Sequence, residues 1–431
     1  MKKLLLALII IINFCLVNLS YAQDFWEQLY FPDSSRIFCI AVNEDSHIFI
    51  GAGGNNSGDV YRSVNDGTSW DFLEIENRTV YSIAVNTNGD IYAGTSQGLT
   101  SEGDYIGGLY RSIDDGDTWE VVVPDIGVYG NILVIKAWGD TLFASIGGSG
   151  ASVVRSTDNG ETWELWFSTD NLTEYASDII RSNSGTIYIG LRGYYEGMGG
   201  VYKTEDDGET WVFLGLYNHM VSSLALNSSN DLFAGSWGWL DETASSGLFV
   251  LRNGEEEWDD LVPEHSPLTD IIINSDNHIY FSSLWPDGVT RSIDNGESFE
   301  LIKEGLPDGL MQDLCLNESG YIYVTNGSTL AKSINPTVSI QESNVELQTK
   351  RWKVYPNPAN DMLNIKPINK IERSAIVKIN IYNTAGRLIL TSECSNLSEH
   401  YHLNITDLPS GLYIVEVVSN DFKNRIKFIV K

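Results

Sequence analysis

Asp178, Asp270 and Asp313 share one position of a repeating unit. Each stands ten residues before an aromatic, Tyr188, Tyr280 or Tyr323, that closes a pair of short apolar runs. Ser82, Ser223 and Cys39 stand at the same place in other units. Three carboxylates at equivalent positions suit a cation, or an acid and a base acting together. They suit equally the capping of backbone N–H groups where a strand begins. A second set of carboxylates lies in an eight-residue frame that reads Ser/Thr-x-Asp/Asn-x-Gly-x-Thr/Ser-aromatic. Its five copies carry Ser63, Asn65, Gly67 and Trp70; Ser112, Asp114, Gly116 and Trp119; Ser156, Asp158, Gly160 and Trp163; Thr204, Asp206, Gly208 and Trp211; and Ser292, Asp294, Gly296 and Phe299. A sixth copy at 251–258 is degenerate and a seventh is nearly lost.

The frame's residue types point to structure. Glycine at the fifth position permits positive φ in a tight turn. The third-position Asp or Asn accepts from turn amides, and the hydroxyls add bonds. The closing Trp has a large apolar face to bury. A third group of residues is aromatic and falls in long loops: Tyr194, Tyr195, Trp237, Trp239 and Trp285. Aromatics in a concave mouth suit stacking on sugars, and loops on a rigid scaffold commonly carry function. The same rings also suit packing of the loops onto the sheets.

The elements that must position these residues follow from the spacing. The pattern Ile-Ala-Val-Asn, four residues, then Ile and an aromatic, ends at Phe49 and Tyr92, and weaker versions end at Phe143, Tyr188, Phe233, Tyr280 and Tyr323. Each is a hairpin of β-branched and aromatic runs around a polar turn. The frame supplies the next hairpin of the same unit. Four strands per unit at steps of 43 to 51 residues is the arithmetic of a propeller blade. The run at 25–29 looks like the strand that follows each frame, yet no frame precedes it, while the last unit lacks such a strand. The N-terminal strand is therefore expected to complete the last blade and close the ring, which removes exposed strand edges. The expectation is an all-β chain: a seven-bladed β-propeller over 23–335, a linker over 336–351 and a small antiparallel β-sandwich over 352–431.

Composition narrows the setting. The chain has 58 acidic and 27 basic residues, net −31. The acidity belongs to the repeats, since residues 350–431 carry 12 basic against 7 acidic. Such a body repels phosphate backbones and anionic lipid, so no nucleic-acid partner is expected. Lys2 and Lys3 precede an apolar run over 4–12, and Ser20-Tyr21-Ala22 offers a cleavage site. Residues 1–22 read as a signal peptide, leaving no transmembrane helix after its removal. Cys39, Cys315 and Cys394 are odd in number and widely spaced, against a disulfide framework or a CxxC zinc site. No metal, cofactor or catalytic residue is assigned.

The frame resembles the Asp-box, or BNR, repeat of bacterial sialidases and of sortilin-like and xyloglucanase-type propellers, over roughly 24–335. The resemblance implies that the boxes lie on the face away from any ligand, so Asp114, Asp158, Asp206 and Asp294 are structural. It also implies requirements for sialidase activity that this chain does not meet. Arg36-Ile37-Phe38 lacks the proline of the Arg-Ile-Pro motif. Arg62, Arg111, Arg155 and Arg291 stand immediately before frames, which leaves Arg36, Arg78, Arg181 and Arg192 to reach the mouth. Tyr194-Tyr195-Glu196 has the nucleophile and partner types side by side in sequence.

The Tyr-Pro-Asn-Pro at 355–358, Gly386-Arg387, the Pro-Ser-Gly-Leu-Tyr at 409–413 and the basic finish from Lys423 to Lys431 resemble the C-terminal sorting domain of type IX secretion cargo in Bacteroidota, an Ig-like sandwich. That resemblance implies the type IX machinery as a partner, passage across the outer membrane and a secreted or cell-surface location. The function expected is a non-enzymatic glycan- or protein-binding module, with Asp178, Asp270, Asp313 and the five loop aromatics as candidate contacts. The alternative is a glycoside hydrolase acting on extracellular glycans.

Overall fold

The computed structural model describes residues 24–338 and 352–431, apart from 55–57, 76–77, 100–104, 107, 123–129, 148–151, 170–173, 194–198, 238–245, 263–266, 285–286, 356–358, 360–361, 368–376, 384–387, 395–400, 407 and 420–421. The signal-peptide reading of 1–22 lies outside the described residues. The chain divides into two compact units at Ser339 and Ile340.

Among the described residues the first unit has, besides a two-stranded sheet of Gly98–Leu99 and Tyr105–Ile106, seven four-stranded antiparallel sheets. Their inner strands are Arg36–Val42, Val80–Val85, Asn131–Trp138, Glu174–Arg181, Met220–Leu226, Leu268–Ile273 and Asp313–Leu316. Six sheets run in chain order from the inner strand outward. The seventh takes its outer strand, Trp26–Leu29, from the other end of the chain. Trp26 pairs with Ser333 and Leu29 with Leu330. Trp26 is 1% exposed and its Nε1–H donates to the Ile302 carbonyl at 2.8 Å.

Second strands are apolar on both faces because each lies between neighbouring sheets. Of the seven aromatics that mark the repeat, Phe49, Tyr92, Phe143, Phe233, Tyr280 and Tyr323 are buried and Tyr188 is half-buried. Small residues recur on these strands opposite the inner-strand position of Asp178. Gly51, Gly94, Gly190 and Gly235 pair with Cys39, Ser82, Asp178 and Ser223. Neighbouring sheets converge here: a Cβ on Gly51 would fall 2.7 Å from Val80, and one on Gly190 2.7 Å from Val221. Larger side chains at these positions would force the sheets apart.

Every inner strand of the first six sheets carries a register shift just before this position, as between Ile37 and Cys39 or Ala176 and Asp178. Such bulges re-aim side chains and end regular pairing. The residues after the shift therefore line the space enclosed by the inner strands.

The second unit has a three-stranded sheet (Trp352–Tyr355, Met362–Pro367, Tyr401–Asn404) and a four-stranded sheet (Val377–Asn383, Leu388–Cys394, Gly411–Ser419, Phe422–Val430). Leu363, Ile365 and Leu403 of one sheet share a core with Ile379, Ile381, Val415 and Val417 of the other. The apolar residues recur at every second position and meet between the two sheets, as in a sandwich, while Asn380 and Glu416 between them are buried as well.

Candidate functional site

The inner strands present a strand edge with no neighbouring strand, so its amides need other partners. The side chain at the repeated position provides them across sheets. Ser82 Oγ accepts from the Ile135 amide at 3.1 Å, and Asp178 Oδ2 from Leu224 at 2.8 Å. Ser223 Oγ accepts from Ile271 at 3.2 Å, and Asp270 Oδ2 from Leu314 at 2.8 Å. Asp313 Oδ2 accepts from Ile40 of the first sheet at 2.8 Å, and the Cys39 sulfur lies against the Ile83 amide. In each case the acceptor belongs to one sheet and the amide to the next. The hydrogen bonds form a belt around the inner strands.

The belt has one gap. The third sheet has Val134 at the aligned position, opposite Ser145. The Ile179 amide of the fourth sheet takes Oδ1 of its own neighbour Asp178 instead, at 2.9 Å. Lys136, two residues on from Val134, places Nζ 2.8 Å from that same Oδ1. One cation thus stands among three carboxylates, at the gap.

Asp178, Asp270 and Asp313 converge on one cavity of about 450 Å³, which Ser82, Ser223, Lys136 and Cys39 also line. Asp178 and Asp270 flank a single hydroxyl: Ser223 Oγ lies 2.7 Å from Asp270 Oδ1 and 3.4 Å from Asp178 Oδ2. Burial pushes the Asp270 carboxyl up to about 6, against the hydroxyl and amide bonds that favour its charged form. Burial raises Asp313 as well, reinforced by the Asp270 charge beside it. Burial alone would lower Lys136. The Asp178 carboxylate more than offsets this, with Asp270 and Asp313 adding to it, and the ammonium is held above its ordinary range. Among the described residues no group of His, Cys, Asp and Glu is arranged to hold a metal ion.

The five frames build one turn. In the second copy the Gly116 amide donates to Ser112 Oγ at 2.8 Å, the Thr118 amide to Asp114 Oδ1 at 2.8 Å, and Thr118 Oγ1 to Asp114 Oδ2 at 2.6 Å. The same contacts recur around Asp158, Asp206 and Asp294. Hydrogen bonds from Thr162 and Ser156 hold Asp158 down to about 2, and those from Ser298 and Ser292 do the same for Asp294. Donors on every side make these carboxylates poor bases.

The fourth frame position shows what residue types alone concealed. Asp66, Asp115, Asn159, Asp207 and Asn295 all have φ near +60°, a region that Asn and Asp tolerate best after glycine. Each reaches back to the preceding sheet. Asp115 meets His47 Nδ1 at 2.9 Å and Arg62, Asn159 accepts the Tyr92 hydroxyl at 2.7 Å, and Asp207 pairs with Arg155 at 2.6 Å. Asp66 receives Lys332 of the last sheet at 2.5 Å. The invariance of Asp or Asn at this position across the five copies was the available signal. It also explains the basic residues before the frames: Arg62, Arg111 and Arg155 are spent on ion pairs between sheets, and Arg291 pairs with Glu300 in its own sheet.

Two expectations change. Arg181 is not at the mouth. It pairs with Ile187 beside the hairpin turn, at the opposite end of its strand from the start that leads to Asp178. Nor does the linker begin at 336. The Thr337 amide donates to the Gly320 carbonyl at 2.7 Å, and the Thr337 carbonyl accepts from Asn274 Nδ2 at 2.8 Å. Asn274 occupies the hairpin position of Asn227, which meets Asn295 of the next frame at 3.0 Å. Residues 335–338 thus stand in for the missing seventh frame, because the Asn274 side chain needs a partner there too.

Of the loop aromatics, Trp237 is described. It is half-buried, donates Nε1–H to the Leu268 carbonyl at 2.5 Å and lies under the Arg192 guanidinium, 4.4 Å from its ring centre. Both residues end second strands, opposite the frames. Tyr194, Tyr195, Trp239 and Trp285 lie outside the described residues.

Residues 353–431 match the family described as "Secretion system C-terminal sorting domain". This is a sorting domain of the type IX system, and it indicates a secreted or cell-surface protein. No curated protein matches the chain. Among solved structures, "YCF48 bound to D1 peptide" is similar at 12% identity and a TM-score of 0.56, covering 73% of this chain and 98% of that one. A GH74 xyloglucanase from Xanthomonas campestris is similar at 14% and 0.56, covering 79% of this chain and 59% of the other. Virginiamycin B lyase from Staphylococcus aureus, with selenomethionine substituted, is similar at 11% and 0.51, covering 71% and 98%. These likenesses show a propeller fold ahead of the sorting domain. No helix among the described residues is long and apolar enough to cross a membrane.

Proposed function

We infer that this is an exported binding protein. Its seven sheets are the blades of a closed propeller that the N-terminal strand completes, its frames are Asp-boxes on the back, and it engages a glycan or a protein outside a Bacteroidota cell. Residues 1–22 direct it to the periplasm, and the sorting domain carries it across the outer membrane. The observation that supports binding over catalysis is the belt. Asp178, Asp270 and Asp313 each hold an amide of the next sheet, so moving a proton between such a carboxylate and a substrate would disturb the contact between sheets. Asp178, Asp270 and Asp313 at the cavity, with Tyr194, Tyr195, Trp237, Trp239 and Trp285 on the loops, are the proposed ligand contacts. The acidic body favours a neutral or cationic ligand. The fold does not decide the matter, since one similar structure holds a peptide and another is a glycoside hydrolase.

The hydrolase reading keeps one specific support. Asp270 at about 6 lies in the range of a general acid, with Asp178 beside it. A screen of the full chain against glycans and surface proteins, run beside chromogenic glycoside assays, tests both readings. We expect saturable binding without turnover. Turnover that Asp270→Asn abolishes would replace the binding reading with the enzyme.

A further inference from the structure

We propose that the outer edge of the fourth sheet carries a stacking platform for a neutral sugar ring, formed by Phe213 and Tyr217. The proposal rests on the reading of the propeller as a binding module, and it names a place away from the central cavity. Phe213 is 42% exposed and Tyr217 58%. Their rings meet nearly at right angles, 86° with centres 6.4 Å apart, which makes an open corner.

The corner is rigid from below. Phe213 packs on Tyr202 at 5.0 Å, Tyr202 on Phe167 at 5.8 Å, Phe167 on Trp211 at 4.7 Å and Trp211 on Trp166 at 4.9 Å. Gly200 makes room for the first ring, since a Cβ there would fall 2.7 Å from Phe213 Cε2. The turn that presents Tyr217 is strained. Leu216, a bulky residue, has φ of +59°, a left-handed conformation that such side chains rarely adopt. Its side chain is buried in the core, and this anchors the turn with the next residue pointing outward.

A pyranose offers a flat C–H face and a hydroxyl edge. Phe213 suits the face, while the exposed Tyr217 hydroxyl offers a polar group for the edge. The acidic body selects against polyanionic glycans. A protein partner needs about 800 Å² from each side. Here the exposed rings are two, and Val212 projects from the other face of the strand.

The test titrates the full chain with cellohexaose, laminarihexaose and mannohexaose. At least one should bind. Phe213→Ala and Tyr217→Ala should each weaken that binding tenfold or more, and Tyr217→Phe less than threefold. Phe72, equally an exposed outer-strand ring at 55%, is the control, and Phe72→Ala should change nothing. Tyr217 is at the surface, so its variants keep the test valid if Phe213→Ala fails to fold. Binding that Trp237→Ala abolishes and both rim variants leave intact would overturn the platform while the binding reading stands. Failure of all three hexaoses to bind also overturns the platform, whereas the broader reading falls only if protein partners are absent too.

Discussion

Asp313 and Ile40 are 273 positions apart, and the carboxylate of one accepts the amide of the other at 2.8 Å. Six equivalent positions place the same bond, or its gap, between consecutive sheets, so this pair is where the last sheet meets the first. The bond needs an acceptor and does not need a charge. Asp313→Ala leaves the Ile40 amide unpaired and should cost about 1–3 kcal/mol. Asp313→Asn keeps an acceptor, removes a carboxylate that burial disfavours, and should be neutral or stabilising at pH 7. Urea unfolding of the two variants checks this; equal losses would mean that the charge itself is required.

The same cavity sets a pH dependence with a definite sign. The folded protein holds the Asp270 carboxyl up to about 6 against an ordinary 3.8. The groups facing it are Asp178, Asp313, Lys136 and Cys315. Between those two values the folded state binds a proton that the unfolded chain has released. Stability therefore falls as pH rises through this window, by at most about 3 kcal/mol, and Asp313 adds in the same sense. The frame carboxylates Asp114, Asp158, Asp206 and Asp294 are held low, so their contribution is present above about 4 and is lost as pH drops further. Melting temperature should peak between pH 4 and 5. Asp270→Asn should flatten the limb between pH 4 and 6, and an unchanged slope in that variant would refute the assignment.

At the frames, the fourth residue should matter as much as the third. Asn159 has φ of +61° and accepts from Tyr92 and Asn86 while donating to Asp90. Asn159→Ala loses those bonds and places an alanine in the left-handed region, for about 2–4 kcal/mol in total. Asn159→Gly keeps the backbone and loses only the bonds, so it should cost less. Chemical denaturation of the pair measures the difference, and equal costs would show that the backbone contributes nothing.

Much of this was legible in the sequence because repeats report strand order directly. The frame spacing gave the hairpins, and the ten-residue offset to the closing aromatic gave Asp178, Asp270 and Asp313 one shared position. What that position does was less legible. A carboxylate ten residues before an aromatic reads the same whether it caps its own strand or the next sheet, because the partner is distant in sequence. Lys136 was not found because the third hairpin turn is one residue shorter, with Trp138 pairing directly to Thr141. The shortened turn moves the aligned position from Leu133 to Val134. The Phe213 and Tyr217 pair left no signal, since apolar rings recur on the strand after a frame, and Gly215, with φ of +114°, marks the end of that strand without showing that Leu216 after it is left-handed too.

Trp26 provides the sharpest test of how the two ends of the repeat region join. An outer strand usually shows its side chains to solvent on one face, yet this Trp is buried against Val289, Ile302 and Leu306 of the sixth sheet and its following loop. Its indole N–H donates to Ile302, so it ties the seventh sheet to the sixth from the far end of the chain. Trp26→Ala should cost about 3–5 kcal/mol and leave the Ile302 carbonyl without its donor. Trp26→Phe restores most of the packing without the bond and should recover more than half of that loss. If the N-terminal strand completes the last sheet cooperatively, both variants should unfold in a single transition at lower denaturant. A separate early transition in Trp26→Ala, with the remaining sheets unaffected, would show instead that the strand is an independent strap.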